Sequence, residues 1–260
     1  MEDVITEAAP PSRFLEEDLN NFTLPSPSLP SPFLLFSLPK PSLPLKPPTL
    51  LISLSLPSPS PPLPSSPLLS SLILPELPLS PAPRPLNDSI SLHSLPNGTV
   101  FVSVNTPISP DRAHAVAKVL LGDSVLPDSV LVLDDIRPRN YRGRLSSDEA
   151  IAFKLETSAE RKRAAGEKLL EGLEYYPSGS VADGLGAAIL GRCQVLNIRA
   201  SLCVSWPRFD ASVVELIKGA MRNGALHGLD LDLVLNSSGE VLKPGRSSSK
   251  DHAYQSDLYI

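Results

Sequence analysis

The sequence predicts an α/β fold: a layered sandwich with a largely parallel or mixed sheet, a Pro-rich N-terminal region and a flexible C-terminal tail. Three observations predict it. From residue 99 onward, β-branched and aromatic runs alternate with segments of helical apolar spacing. Several runs are apolar without a break, as in strands covered on both faces. Proline is also segregated: 22 of the 30 prolines fall at or before Pro85, so the ordered body is expected mainly downstream.

Taken in order, residues 1–46 combine an acidic patch, Glu16-Glu17-Asp18, with a Leu/Pro/Ser tract that favours extended or polyproline II backbone and needs no internal fold. Residues 50–56 and 72–74 read as short strands, and the proline-dense interval 57–67 between them as loop, or an edge at best. Residues 99–104 form the first strong strand. Ser109, Pro110 and Asp111 then supply an N-cap, an N1 proline and a first-turn acid. That helix runs to about Leu121 near Gly122, with Ala113, Val116, Ala117, Leu120 and Leu121 at helical spacing. Residues 130–133 and 151–155 read as strands, and the charged stretch 160–171 as a solvated helix or loop. Residues 181–195 form a helix in which Gly184, Gly186, Ala187 and Gly191 permit close backbone approach. Residues 198–206 are a strand, Asp210 caps a helix bearing Val213, Val214, Leu216, Ile217 and Ala220, and 229–235 is a short last element. The domain plan is therefore 1–46 extended, 47–235 an α/β body with a Pro-rich insertion at 57–90, and 236–260 a tail.

A net charge of −5 disfavours a general nucleic-acid or anionic-membrane binder, whose affinity would rest on accumulated Lys and Arg. No apolar run approaches the length of a membrane-spanning helix. The first residues, Met1-Glu2-Asp3 with Glu7, lack the basic and apolar regions of a secretory signal, so a cytoplasmic or nuclear location is expected. Cys193 and Cys203 have no metal-ligand spacing and read as buried thiols in a reducing compartment.

Catalytic constellations are poor. His93, His114, His227 and His252 are scattered, and no nucleophile elbow, P-loop or dinucleotide fingerprint is present. Three lesser features remain. Asp134-Asp135 closes a strand at the end where α/β enzymes keep ligands. Ser178-Gly179-Ser180 precedes a helix and reads as an N-cap or an anion loop. Arg137, Arg139, Arg142 and Arg144 surround Tyr141 in a solvated or protein-facing loop. The terminus Leu258-Tyr259-Ile260 is the sharpest signal: an apolar residue, an aromatic anchor and a free carboxylate at the end of a Ser- and Gly-rich arm. Such a terminus suits capture by a lysine or a nest of backbone N–H groups.

Blocks over most of the chain resemble the plant form of the proteasome assembly chaperone subunit one family. They include Glu17-Asp18-Leu19-Asn20-Asn21-Phe22, His114-Ala115-Val116-Ala117-Lys118, Phe153-Lys154-Leu155-Glu156-Thr157, Leu190-Gly191-Arg192-Cys193-Gln194 and Leu202-Cys203-Val204-Ser205-Trp206-Pro207. The resemblance implies a non-enzymatic chaperone without a cofactor. It would pair as a heterodimer with a second assembly chaperone and bind the α ring of the proteasome core particle. The hydrophobic-Tyr-X end, here Leu258, Tyr259 and Ile260, would insert between α subunits. Between Leu56 and Pro85 the resemblance lapses, because Ser/Pro/Leu repeats stand where strand-forming sequence belongs. The alternatives are a Pro-rich adaptor whose residues 24–86 recruit SH3- or WW-type domains, and an α/β hydrolase-like enzyme.

Overall fold

Residues 29–37, 44–54, 66–75, 90–146, 148–208 and 210–226 are described by a computed structural model. In chain order they form β1 (Phe33–Phe36), β2 (Thr49–Ser53), β3 (Leu68–Ile73), β4 (Ile90–Ser94), β5 (Val100–Val104), α1 (Pro110–Leu120), β6 (Ser129–Asp135), β7 (Ile151–Glu156), α2 (Ser158–Arg161), β8 (Glu174–Tyr175), α3 (Gly184–Val195), β9 (Arg199–Trp206) and α4 (Ala211–Arg222). The strands make one nine-stranded mixed sheet in the order β1-β3-β4-β5-β2-β6-β9-β7-β8. Its centre, β5-β2-β6-β9, is parallel, as the uninterrupted apolar runs predict. β1, β3 and β4 add an antiparallel flank, and β7 runs antiparallel to β9.

Strand alternation sorts the core into two layers. Leu50, Ile52, Val130, Val132, Leu202 and Val204 lie with α1 and α3 on one face. Leu51, Phe101, Leu131, Leu133 and Cys203 lie on the other with Val213, Ile217 and Met221 of α4. Leu50, Leu51 and Ile52 are wholly inaccessible, so both faces of β2 are covered. Each such side chain contributes about 1.5–3 kcal/mol of burial free energy.

Local chemistry sets the helix ends. Pro110 opens α1, with Asp111 in its first turn; Ser109 occupies the N-cap position without a side-chain cap bond. Asp210 caps α4 by accepting from the Ser212 backbone N–H. α3 closes with Asn197 at φ +55°, where the Asn197 N–H reaches the Gln194 carbonyl and the Ile198 N–H the Cys193 carbonyl. This left-handed cap turns the chain straight into β9.

Three local expectations need correction, and one strand, β4, was not expected. β1 lies inside the stretch expected to need no fold: Phe33–Phe36 pairs with β3, because a four-residue apolar run between prolines can still serve at a sheet edge. β4 pairs with both β3 and β5 although its Ser and His residues hide it in the sequence. The 160–171 stretch is only partly solvated, since Glu160, Leu169 and Leu170 are buried. α3 begins at Gly184 rather than 181, because residues 177–181 are held in a turn. The expected last element, 229–235, and most of the 57–67 loop lie outside the described residues.

Candidate protein-contact site

At the carboxyl edge of the parallel strands, three features separated in sequence meet. β6 ends at Asp134-Asp135, and the chain turns through Ile136 into a 3-10 turn, Pro138–Asn140. Arg137 Nη1 lies 2.8 Å from Asp183 Oδ1, and Arg139 Nη2 lies 3.6 Å from Asp183 Oδ2. Asp183 occupies the N-cap position of α3 but makes no cap bond with its side chain. Its carboxylate serves the arginines instead. The Val181 N–H donates to the Asn140 carbonyl (2.9 Å) and the Arg142 N–H to Ser180 Oγ (2.9 Å). Ser178-Gly179-Ser180 is thus a turn ahead of α3, not its N-cap, and the Ser180 hydroxyl braces the arginine loop.

Glycines let these segments close. A Cβ on Gly186 would stand 2.9 Å from Asp134 Oδ2 and 3.3 Å from the Leu202 and Leu54 methyls. Gly179 sits at φ +87°, and a Cβ there would meet the Arg142 side chain at 2.8 Å. What remains between Asp134, Arg137, Asn140, Tyr176, Asp183 and Val204 is a cavity of about 10 Å³, near the limit for one water. The crevice in which open α/β sheets hold ligands is closed here by an ion pair and a helix start.

The outer side of this edge is different. The Tyr141 ring stacks on Phe153 and Tyr176 at centroid distances of 5.9 and 6.0 Å. Burial pushes the Tyr176 phenol up, with help from Tyr141 and Asp183, so it stays neutral. Around this aromatic anchor Arg139, Arg142 and Arg144 are exposed. Rings fixed beside solvated guanidinium groups are chemistry compatible with a protein contact.

A second cluster was not foreseen. Lys154 Nζ lies 2.9 Å from Glu156 Oε1 and donates to the Leu170 carbonyl at 2.9 Å. Tyr175 donates its hydroxyl to Glu156 Oε2 at 2.6 Å, and Lys168 approaches the same oxygen at 3.6 Å. Burial pushes the Glu156 carboxyl up, but the Tyr175 hydroxyl and the two lysines outweigh it, so the group sits below its ordinary value. Nearby, Glu160 takes hydrogen bonds from the Leu169 N–H and from Arg199 Nε at 2.9 Å. These bonds fasten the charged stretch to β7 and β9. The one sequence sign was Lys154 and Glu156 at strand spacing, which puts both on one face.

Leu258, Tyr259 and Ile260 lie outside the described residues, as do His227 and His252. His114 is exposed on α1, and His93 donates or accepts with Ser91 Oγ at 3.1 Å within β4. Cys193 and Cys203 are free and buried, and burial pushes both thiols up to about 12. Among the described residues no His, Cys, Asp and Glu side chains gather into a group of three that could hold a metal, and no helix is long and apolar enough to cross a membrane.

No protein-family model matches the chain, and no curated protein matches it in sequence. Solved structures do. PbaA of Pyrococcus furiosus, described as an archaeal homologue of proteasome-assembly chaperone, superposes with a TM-score of 0.53 at 14% identity, covering 81% of this chain and 88% of that one. The chain has the PbaA fold. PbaB of the same organism, described as an archaeal proteasome activator, gives a TM-score of 0.50 at 13% identity, over 80% of this chain and 94% of PbaB. A Thermoplasma acidophilum protein of unknown function gives 0.50 at 17% identity, over 74% of this chain and 82% of its own.

Proposed function

We propose that this chain is a non-enzymatic assembly chaperone of the proteasome core particle. It works as a heterodimer with a second assembly chaperone and needs no cofactor. Its α/β body contacts that partner and the α ring, and Leu258-Tyr259-Ile260 plugs a pocket between α subunits. The observation that carries this reading is the superposition on PbaA over most of both chains. The apolar-Tyr-X terminus and the closed ligand crevice support it.

The physical logic is avidity. A three-residue plug buries little area, and its carboxylate forms one ion pair, so alone it binds weakly. Tethered to a body that already touches the ring, it acts at an effective concentration on the order of millimolar. Binding is then firm yet reversible, as a factor that must leave the finished particle requires.

The experiment is reconstitution of α rings from purified α subunits with the co-expressed chaperone pair, read by native mass spectrometry. The intact chain should raise the yield of complete rings, and Tyr259→Ala should lower it while the pair stays intact. Equal ring yield with and without the pair would overturn the reading.

A further inference from the structure

Beside Tyr141 and Arg144 a cleft of about 440 Å³ follows the outer edge of the sheet. Its apolar surface comes from Ile151, Phe153, Leu173 and Leu216. β8 pairs with β7 only at Phe153 and Lys154, so Ile151 and Ala152 have no strand beside them on that side among the described residues. Arg144, Glu149 and Glu174 stand exposed at the rim, and none of the three is in an ion pair within the described residues. An unpaired strand edge, an apolar cleft and unmatched charges of both signs together suit an extended segment whose sequence runs acid, apolar, apolar, base.

We propose that Glu240-Val241-Leu242-Lys243 of this same chain docks in the cleft as an added strand. Glu240 faces Arg144, and Lys243 faces the two glutamates. In an extended segment Val241 and Leu242 point to opposite sides. The cleft provides for both, with Phe153 on the α1/α3 face and Leu216 on the α4 face. Reach is sufficient. The 13 residues between Leu226 and Glu240 span up to about 44 Å at ~3.4 Å each, whereas α4 rises only about 9 Å from Leu216, which lines the cleft, to Arg222. Pro244-Gly245 then ends the strand, since proline cannot donate to a ladder.

The docked segment would fix where the tail leaves the body. Only the 17 residues beyond Lys243, rather than the 34 beyond Leu226, would then tether the terminus, and they would start beside Glu149 and Glu174. A shorter tether of adequate span raises the effective concentration of whatever it carries. Docking of this segment does not depend on Leu258-Tyr259-Ile260 engaging a proteasome ring.

Hydrogen exchange on the isolated full-length chain at two protein concentrations tests it. Amides 241–243 should exchange at least about tenfold more slowly than amides 246–252, at both concentrations. Arg144→Glu should abolish that protection, and Arg144→Glu with Glu240→Arg should restore it. Exposed Arg144 allows these changes without unfolding the body. Absent protection, or protection indifferent to Arg144→Glu, would overturn the proposal. Protection that grows with concentration would also overturn it, by assigning the cleft to the segment of a second copy.

Discussion

Glu156 is the residue on which the fastening of the 157–176 stretch turns. Its side chain is fully covered, yet the Tyr175 hydroxyl, Lys154 and Lys168 hold it ionised. Because its folded pKa lies below the ordinary 4.5, the stability it contributes is fully present above that value and is lost as pH falls through the folded pKa. Thermal melts of wild type and Glu156→Gln should therefore differ most above pH 5 and converge in acid; a gap that widens in acid would contradict this assignment. Lys154→Met leaves the carboxylate buried with one partner fewer and should cost about 3–5 kcal/mol in a urea titration. At Cys193 and Cys203 the buried thiols, raised to about 12, should resist iodoacetamide at pH 8 in the native protein and react once urea unfolds it.

Among the elements, α3 makes the sharpest internal comparison. Gly186 has no room for a Cβ against Asp134, Leu202 and Leu54, whereas a Cβ on Gly191 meets nothing within 4 Å. Gly186→Ala should destabilise by about 1–3 kcal/mol through overpacking. Gly191→Ala should be neutral or stabilise by up to about 1 kcal/mol through helix propensity. Equal effects in a denaturant titration would mean that α3 does not sit on β6 as described. The same elements show what the sequence could convey. β5, β6, β9, α1 and α4 were legible because each pairs an apolar period with a cap or a break, such as Pro110 or Asp210. β1, β4 and β8 were not, because they are short, Ser-bearing or nearly devoid of apolar residues and owe their strand state to a neighbour. Asp134-Asp135, the 137–144 loop and the 178–180 turn were each visible alone. Their meeting depends on bonds such as Arg142 to Ser180 across 38 positions, which no local pattern records.

The whole molecule joins an α/β body to a Pro- and Ser-rich N-terminal stretch and a Ser- and Gly-rich C-terminal one. Of the stretch 24–86 that suggested an SH3- or WW-binding adaptor, residues 33–36, 49–53 and 68–73 are committed to the sheet and are not open for polyproline recognition. The crevice between the ends of β6 and β9 and the start of α3 has a volume of about 10 Å³. The proposed function uses surfaces instead: the aromatic and arginine edge of the body, and the terminus. The proposed plug works from a folded body. Its most direct test is co-sedimentation of the co-expressed chaperone pair with proteasome core particles, comparing the intact chain with Tyr259→Ala and with a chain lacking Tyr259 and Ile260. Binding should fall at least about tenfold in both variants, with unchanged circular dichroism and an intact pair. Undiminished binding in both would contradict the account and move recognition entirely to the body.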